Sequence, residues 1–273
     1  SDVQLNGISV LTNLVGGNDG LVREKVATAG GIDSIVISMV MHPEDPDIQE
    51  NGCKALRNLC TNDDNNKVLT EQKGGIDAII SAMQVHRGEA RVQMEGCWAL
   101  SNLSVNPNNK IIIGDSMGID VIIRAMWVHM ENPSLQEWAC RALWTLSVNQ
   151  DNKAKIVSMD GVTAIISAMK GHLDNPGVQE KACGCLANLA ANNDDNKLRI
   201  AEGEGIDSIV MAMVVHADNQ SVQEKACGAL RKMATEPFLN TMRAHGVGPL
   251  LEAAAQRFPA SCSNKASFVL QYL

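Results

Sequence analysis

Apolar residues along this chain come in short blocks with helical spacing. In Ile76, Ile79, Ile80 and Met83 they fall at i, i+3, i+4 and i+7, which is one stripe of an α-helix. Polar runs containing Asn, Asp, Pro or Gly separate the blocks, as in Pro43-Glu44-Asp45-Pro46. No alternation of the kind a half-buried strand needs persists anywhere, and the β-branched residues sit inside the helical periodicity. The blocks also repeat. Gln4, Gln49, Gln93, Gln136, Gln179 and Gln223 are spaced 43 to 45 residues apart. Gly31-Ile32-Asp33 returns at Gly75, Gly118, Gly161 and Gly205, and Met39 returns at Met83, Met126, Met169 and Met213. Three ladders with one period predict an array of units that each bury a face against the next.

Each unit reads as three helices. A short first helix opens at Asn66, Asn109, Asn152 or Asn196, with the asparagine as the expected N-cap. A glycine break follows, then a second helix with an Asp near its start, where the helix dipole favours negative charge. The third helix runs from Val-Gln-Glu through Ala-Cys-x-Ala-Leu-x-Asn-Leu. This pattern, in register over almost the whole chain, resembles the armadillo repeat family, which includes importin-α and β-catenin. The resemblance implies an all-α, right-handed superhelix whose third helices line a concave, peptide-binding groove. The expected organisation is a single armadillo domain over 1–273: a partial repeat at 1–17, full repeats at 18–62, 63–106, 107–149, 150–193 and 194–236, and a degenerate repeat at 237–273. The partial first unit points to a piece of a longer chain.

Composition narrows the chemistry. The net charge of −8 argues against a general nucleic-acid binder. With 3% aromatic residues, the core must be built from aliphatic side chains, Met and Cys. Cys53, Cys97, Cys140, Cys183 and Cys227 share one repeat position. Stacked helices lie about 10 Å apart, too far for a disulfide or a shared zinc ion, so these cysteines are expected in the core. Eight free thiols imply a reducing compartment, cytoplasm or nucleus. His42, His86, His129, His172 and His216 each follow the ladder Met by three residues and are expected to bond the last carbonyls of the second helix. The Met ladder and Trp127 are expected to pack in the interior. No catalytic set, cofactor loop or metal motif is assembled, so neither enzyme activity nor a cofactor is expected.

The asparagine ladder of the third helix, Asn13, Asn58, Asn102 and Asn188, is different, because Asn is a poor interior helix former. One reading is a hydrogen bond to the adjacent loop. The other is implied by the armadillo resemblance: these carboxamides hold the backbone of an extended partner. The residues sharing that face include Lys54, Glu95, Trp98, Trp138, Arg141, Lys181, Lys225 and Lys232. On the strip as a whole, five basic residues stand against one acid, a net +4 on a chain of −8. Trp98 lies four residues before Asn102, the Trp-x-x-x-Asn spacing of importin-α; Trp138 and Trp144 are close by in the next repeat. The expected function is a protein-interaction scaffold. Asn13, Asn58, Asn102 and Asn188 hold a partner's backbone, Trp98, Trp138 and Trp144 anchor it, and Lys54, Arg141, Lys181, Lys225 and Lys232 select acidic side chains. The alternatives are a transport-type adaptor for basic peptides and a structural spacer or regulatory domain of a larger protein. Neither nucleic acid nor membrane insertion is expected.

Overall fold

The computed structural model describes residues 2–17 and 19–273, and among these every regular element is helical. Two compact units divide the chain, one ending at Asn152 and the other running from Lys153 to Leu273. The first unit holds α1 (Asp2–Val15), α2 (Gly20–Thr28), α3 (Gly31–Met41), α4 (Pro46–Leu59), α5 (Asp64–Gln72), α6 (Gly75–Val85), α7 (Ala90–Leu103), α8 (Pro107–Asp115), α9 (Gly118–Val128) and α10 (Pro133–Leu146). The division falls inside α11 (Gln150–Ser158). The second unit continues with α12 (Gly161–Gly171), α13 (Pro176–Ala190), α14 (Asp194–Glu202), α15 (Gly205–Val215), α16 (Gln220–Met233), α17 (Phe238–Ala244), α18 (Val247–Arg257) and α19 (Pro259–Leu270).

These helices form the triplets that the periodicity predicts, and the degenerate C-terminal stretch is a triplet too. Within the first unit the third helices stack in the order α1, α4, α7, α10, and the second helices in the order α3, α6, α9. Within the second unit α13, α16 and α19 stack in the same way. The Cys ladder is fully buried, and the Met ladder is at most 2% exposed. All eight cysteines are free thiols. Among the described residues no helix is long and apolar enough to cross a membrane, and no cluster of three potential ligands could hold a metal ion.

Three local expectations are corrected. First, the first-helix cap lies three residues before the predicted asparagine. Asp63, Asn106, Asn149 and Asn193 accept the amides of Asn66, Asn109, Asn152 and Asn196 at 2.9–3.2 Å. The predicted caps are instead buried in the first turn. Their Nδ2 groups donate to main-chain carbonyls: Asn66 to Leu59, Asn109 to Lys67, Asn152 to Lys110 and Asn196 to Leu189, at 2.9–3.0 Å. These four bonds tie segments about one helix or one repeat apart.

Second, the ladder glutamine rather than the histidine satisfies the end of the second helix. Gln49 Nε2 donates to the carbonyls of Met39 and His42, Gln93 to Met83 and His86, and Gln136 to Met126 and His129. Gln179 and Gln223 repeat the pattern in the second unit. The histidines do occupy the C-cap positions, but the rings of His86, His129 and His216 pair with carbonyls of the preceding repeat, Pro43, Arg87 and Leu173, at 2.7–2.8 Å. A glutamine one turn into the next helix can span two carbonyls, whereas a C-cap imidazole points away from its own helix end.

Third, the glycine that recurs at the start of the second helix is a close-approach site and not itself the turn. A Cβ on Gly31, Gly75, Gly118 or Gly205 would stand 2.6–2.8 Å from the carbonyl oxygen five residues earlier. The left-handed turn residue is the one before, and it is Gly30 or Gly74 in two repeats but Met117, Asp160 and Glu204 in the next three.

Candidate functional site

In the first unit the third-helix faces of α4, α7 and α10 bring an unbroken column of side chains together. The guanidinium of Arg57 lies over the Trp98 ring at 3.7 Å. Trp98 stacks on Trp138 with centroids 3.7 Å apart and planes inclined by 10°. Arg141 closes the far side, 5.2 Å from the Trp138 centroid. The two indoles meet because Trp138 sits one helical turn earlier in its repeat than Trp98 does in its own, which compensates the offset between stacked helices. The stack contributes about 0.5–1.5 kcal/mol beyond its area, and each cation over a ring adds roughly 0.5–2 kcal/mol, the larger value where water is excluded.

Arg57 is the hub of this column. Its Nε and Nη2 donate to Asn58 Oδ1 at 3.1 and 2.9 Å, and Nη1 lies 2.7 Å from Glu95 Oε2. The Glu95 contact is a charge pair lying off the N–H axis, since that oxygen has no aligned hydrogen bond. Both side chains are more than nine-tenths buried. Burial raises the Glu95 carboxyl above its usual range, against the opposing pull of Arg57 and Lys54, and burial likewise lowers Arg57. Desolvation therefore outweighs mutual attraction, as is common for buried ion pairs. Asn102 is 9% exposed, and its Nδ2 donates to the Arg57 carbonyl and Thr61 Oγ1, both at 3.2 Å. Thr145, at the same repeat position, bonds Ser104 Oγ at 2.5 Å. At Asn102 and Thr145 the ladder position therefore stitches a third helix to the one before it.

The predicted residues are thus placed unequally. Lys54, Asn58, Trp98, Trp138, Arg141 and Trp144 are half-buried on α4, α7 and α10, while Asn13 is exposed on α1. Asn102 lies deeper than these, with its Nδ2 turned to α4. In the second unit Asn188 is half-buried on α13. Lys181 pairs with Glu180 at 2.8 Å, and Lys225 and Lys265 converge on Glu224 at 3.2 and 3.4 Å. Lys232 is exposed, close enough to Lys153 to help lower that lysine's pKa, although burial of Lys153 is the larger cause. Internal pairing therefore absorbs part of the basic strip, and the predicted excess of +4 is narrower in the folded chain. Trp127, expected in the interior, is 36% exposed on the second-helix face.

The LRRK2 ARM repeat model matches residues 54–190 and 109–269. This chain belongs to that family. No curated protein sequence matches it. Solved structures similar to these ARM repeats include an engineered protein with TM-score 0.79 at 20% identity, covering 97% of this chain and 68% of that one. A designed armadillo repeat protein in complex with the peptide (KR)4 superposes with TM-score 0.69 at 15% identity, covering 84% of this chain and 91% of that one. A chain from a structure of the cadherin and β-catenin interaction gives TM-score 0.57 at 19% identity, covering 97% of this chain and 56% of that one.

Within the ARM repeats, sequence reasoning missed Arg57 as the hub and Glu95 as its counter-ion. The signal was present. Arg57 immediately precedes a ladder asparagine, and Glu95 lies one turn before Trp98. A one-turn offset between adjacent third helices aligns these residues, and that offset is a packing parameter the sequence period does not contain.

Proposed function

We propose that this ARM-repeat chain is a protein-interaction scaffold that holds an extended segment of a partner along its third helices. The observation that carries the reading is the Arg57–Trp98–Trp138–Arg141 column, a preformed surface of edges and cations on α4, α7 and α10. The indole faces are occupied by one another and by Arg57, so a partner side chain packs against their edges. Asn102 offers its carboxamide oxygen to a partner N–H, because its donor is engaged internally. Lys54 and Arg141 favour an acidic segment. Armadillo architecture supports peptide recognition in the designed neighbour, whose peptide is basic; the cations on the third helices of this chain favour the opposite sign. We place this scaffold in the cytoplasm or nucleus on the strength of its eight free thiols. Capture of immobilised acidic and basic extended peptide libraries separates the two charge readings. Selective retention of acidic sequences is expected, and selective retention of basic ones would return the scaffold to the adaptor reading.

A further inference from the structure

A cleft of about 230 Å³ lies between α6 and α9, with Gln93 of α7 also lining it. Its walls include Met83, Met117, Val121 and Trp127, with Arg87 and Arg124 also lining it. Two of these residues, Trp127 and Arg124, break the repeat pattern at this one place. Trp127 replaces the Val40, Gln84, Lys170 and Val214 of the other second helices. Arg124 replaces Ile37, Ser81, Ser167 and Met211. Met117 occupies a left-handed turn position (φ 65°), held by Gly30, Gly74 and Gly246 in three other repeats and by Asp160 and Glu204 in two, and it is 52% exposed. A bulky side chain there costs about 1–2 kcal/mol of backbone strain relative to glycine. A further exposed apolar side chain, Val128 at 56%, also lines the cleft.

Size and charge select the occupant. Pockets for small-molecule ligands run from about 300 Å³ upward, so this one suits a single inserted side chain. Trp, Met and Arg around a pocket that receives one anchor form the usual centre of a protein interface. Arg124 is held at the cleft by Asp120, its Nε 3.0 and 2.9 Å from the two carboxylate oxygens, and Arg87 Nε is held by the Gln84 carbonyl at 3.1 Å. Two guanidinium groups against one lining carboxylate leave positive charge at the rim. We propose that this cleft receives a leucine- or phenylalanine-sized side chain of a partner protein, flanked in the partner by carboxylates. None of Arg57, Trp98, Trp138 and Arg141 lines it.

The test uses the whole chain with methyl-labelled methionine and the capped peptide Ser-Asp-Asp-Leu-Phe-Asp-Ser. Saturable shifts of the Met83 and Met117 methyl signals and of the Trp127 indole N–H are expected. They should be lost when Leu-Phe becomes Ala-Ala, and weakened when the Asp residues become Lys. Trp127→Ala and Arg87→Glu, both surface changes whose folding is checked by circular dichroism, should each weaken binding roughly tenfold. Absence of saturable shifts at Met83 and Met117, shifts at Trp98 and Trp138 instead, or unchanged affinity in both variants would overturn the proposal. A trace unaffected by Trp98→Ala keeps this outcome separate from that of the groove.

Discussion

Replacing Gln136 by Met tests how the repeats are held together. Gln136 is 2% exposed, and its Nε2 donates to Met126 O at 2.8 Å and His129 O at 3.1 Å. Both carbonyls lie at the end of α9, Met126 in its last turn and His129 at its C-cap. Methionine keeps the volume and removes both side-chain bonds, leaving the His129 carbonyl with the Asn132 N–H at 3.1 Å. At about 0.5–1.5 kcal/mol for each lost bond, Gln136→Met should cost about 1–3 kcal/mol. Gln136→Glu should cost more, because a carboxylate would face two carbonyl oxygens. The chain contains its own control. Gln4 occupies the same ladder position but is exposed, and its side chain accepts a bond from Ser38 Oγ at 2.9 Å. Gln4→Met should fall within about 0.5 kcal/mol of the parent, as surface changes do. Urea unfolding followed by far-ultraviolet circular dichroism and by tryptophan fluorescence reads both variants. If Gln136→Met costs less than about 0.5 kcal/mol, or if the two variants cost the same, the glutamine clamp is not a stabilising element.

Gly118→Ala should destabilise the chain by about 1–3 kcal/mol, since its Cβ would stand 2.6 Å from the Ile113 carbonyl and a backbone atom cannot swing aside; denaturant midpoints check this. Glu204→Gly should stabilise by about 0.5–1 kcal/mol, the left-handed strain relieved at φ 64° less the extra freedom glycine gives the unfolded chain, even though the exposed Lys170 contact is lost. The thiols should resist alkylation in the native state at pH 8 and react fully in denaturant. Burial pushes Cys60, Cys97 and Cys183 up to about 12 from an unfolded value near 9.0. The folded state therefore keeps protons that the unfolded state releases, so this contribution to stability is whole below pH 9 and is lost as pH rises from 9 to 12. A melting temperature that does not fall across that window would contradict the assignment.

The solenoid was legible because a single period governs both the buried stripes and the breaks, and the ladder Met and Cys residues lie where helical phase puts them. Side-chain partners were less legible. Asparagine fits an N-cap at Asn66 as well as it fits the first-turn position it occupies, and only Asp63, three residues earlier, decides between them. The glutamine ladder looked like a landmark because its two acceptors lie seven and ten residues back, across a loop. The histidines were placed on the correct cap but with the wrong acceptor, which comes from the neighbouring repeat 43 residues away. In the candidate groove, residue type identified Trp98, Trp138 and Arg141. The pairing of Arg57 with Glu95, and the depth of Asn102, follow from how far one third helix slides against the next.

The central claim is that the third-helix face binds an extended partner, and one affinity comparison tests it directly. An acidic peptide selected on the parent chain is titrated by fluorescence anisotropy against the parent and against Trp98→Ala combined with Asn102→Ala. The account predicts an unchanged helical circular-dichroism spectrum and binding weaker by at least roughly tenfold, as for truncated interface anchors. Equal affinity in the folded double variant would contradict it.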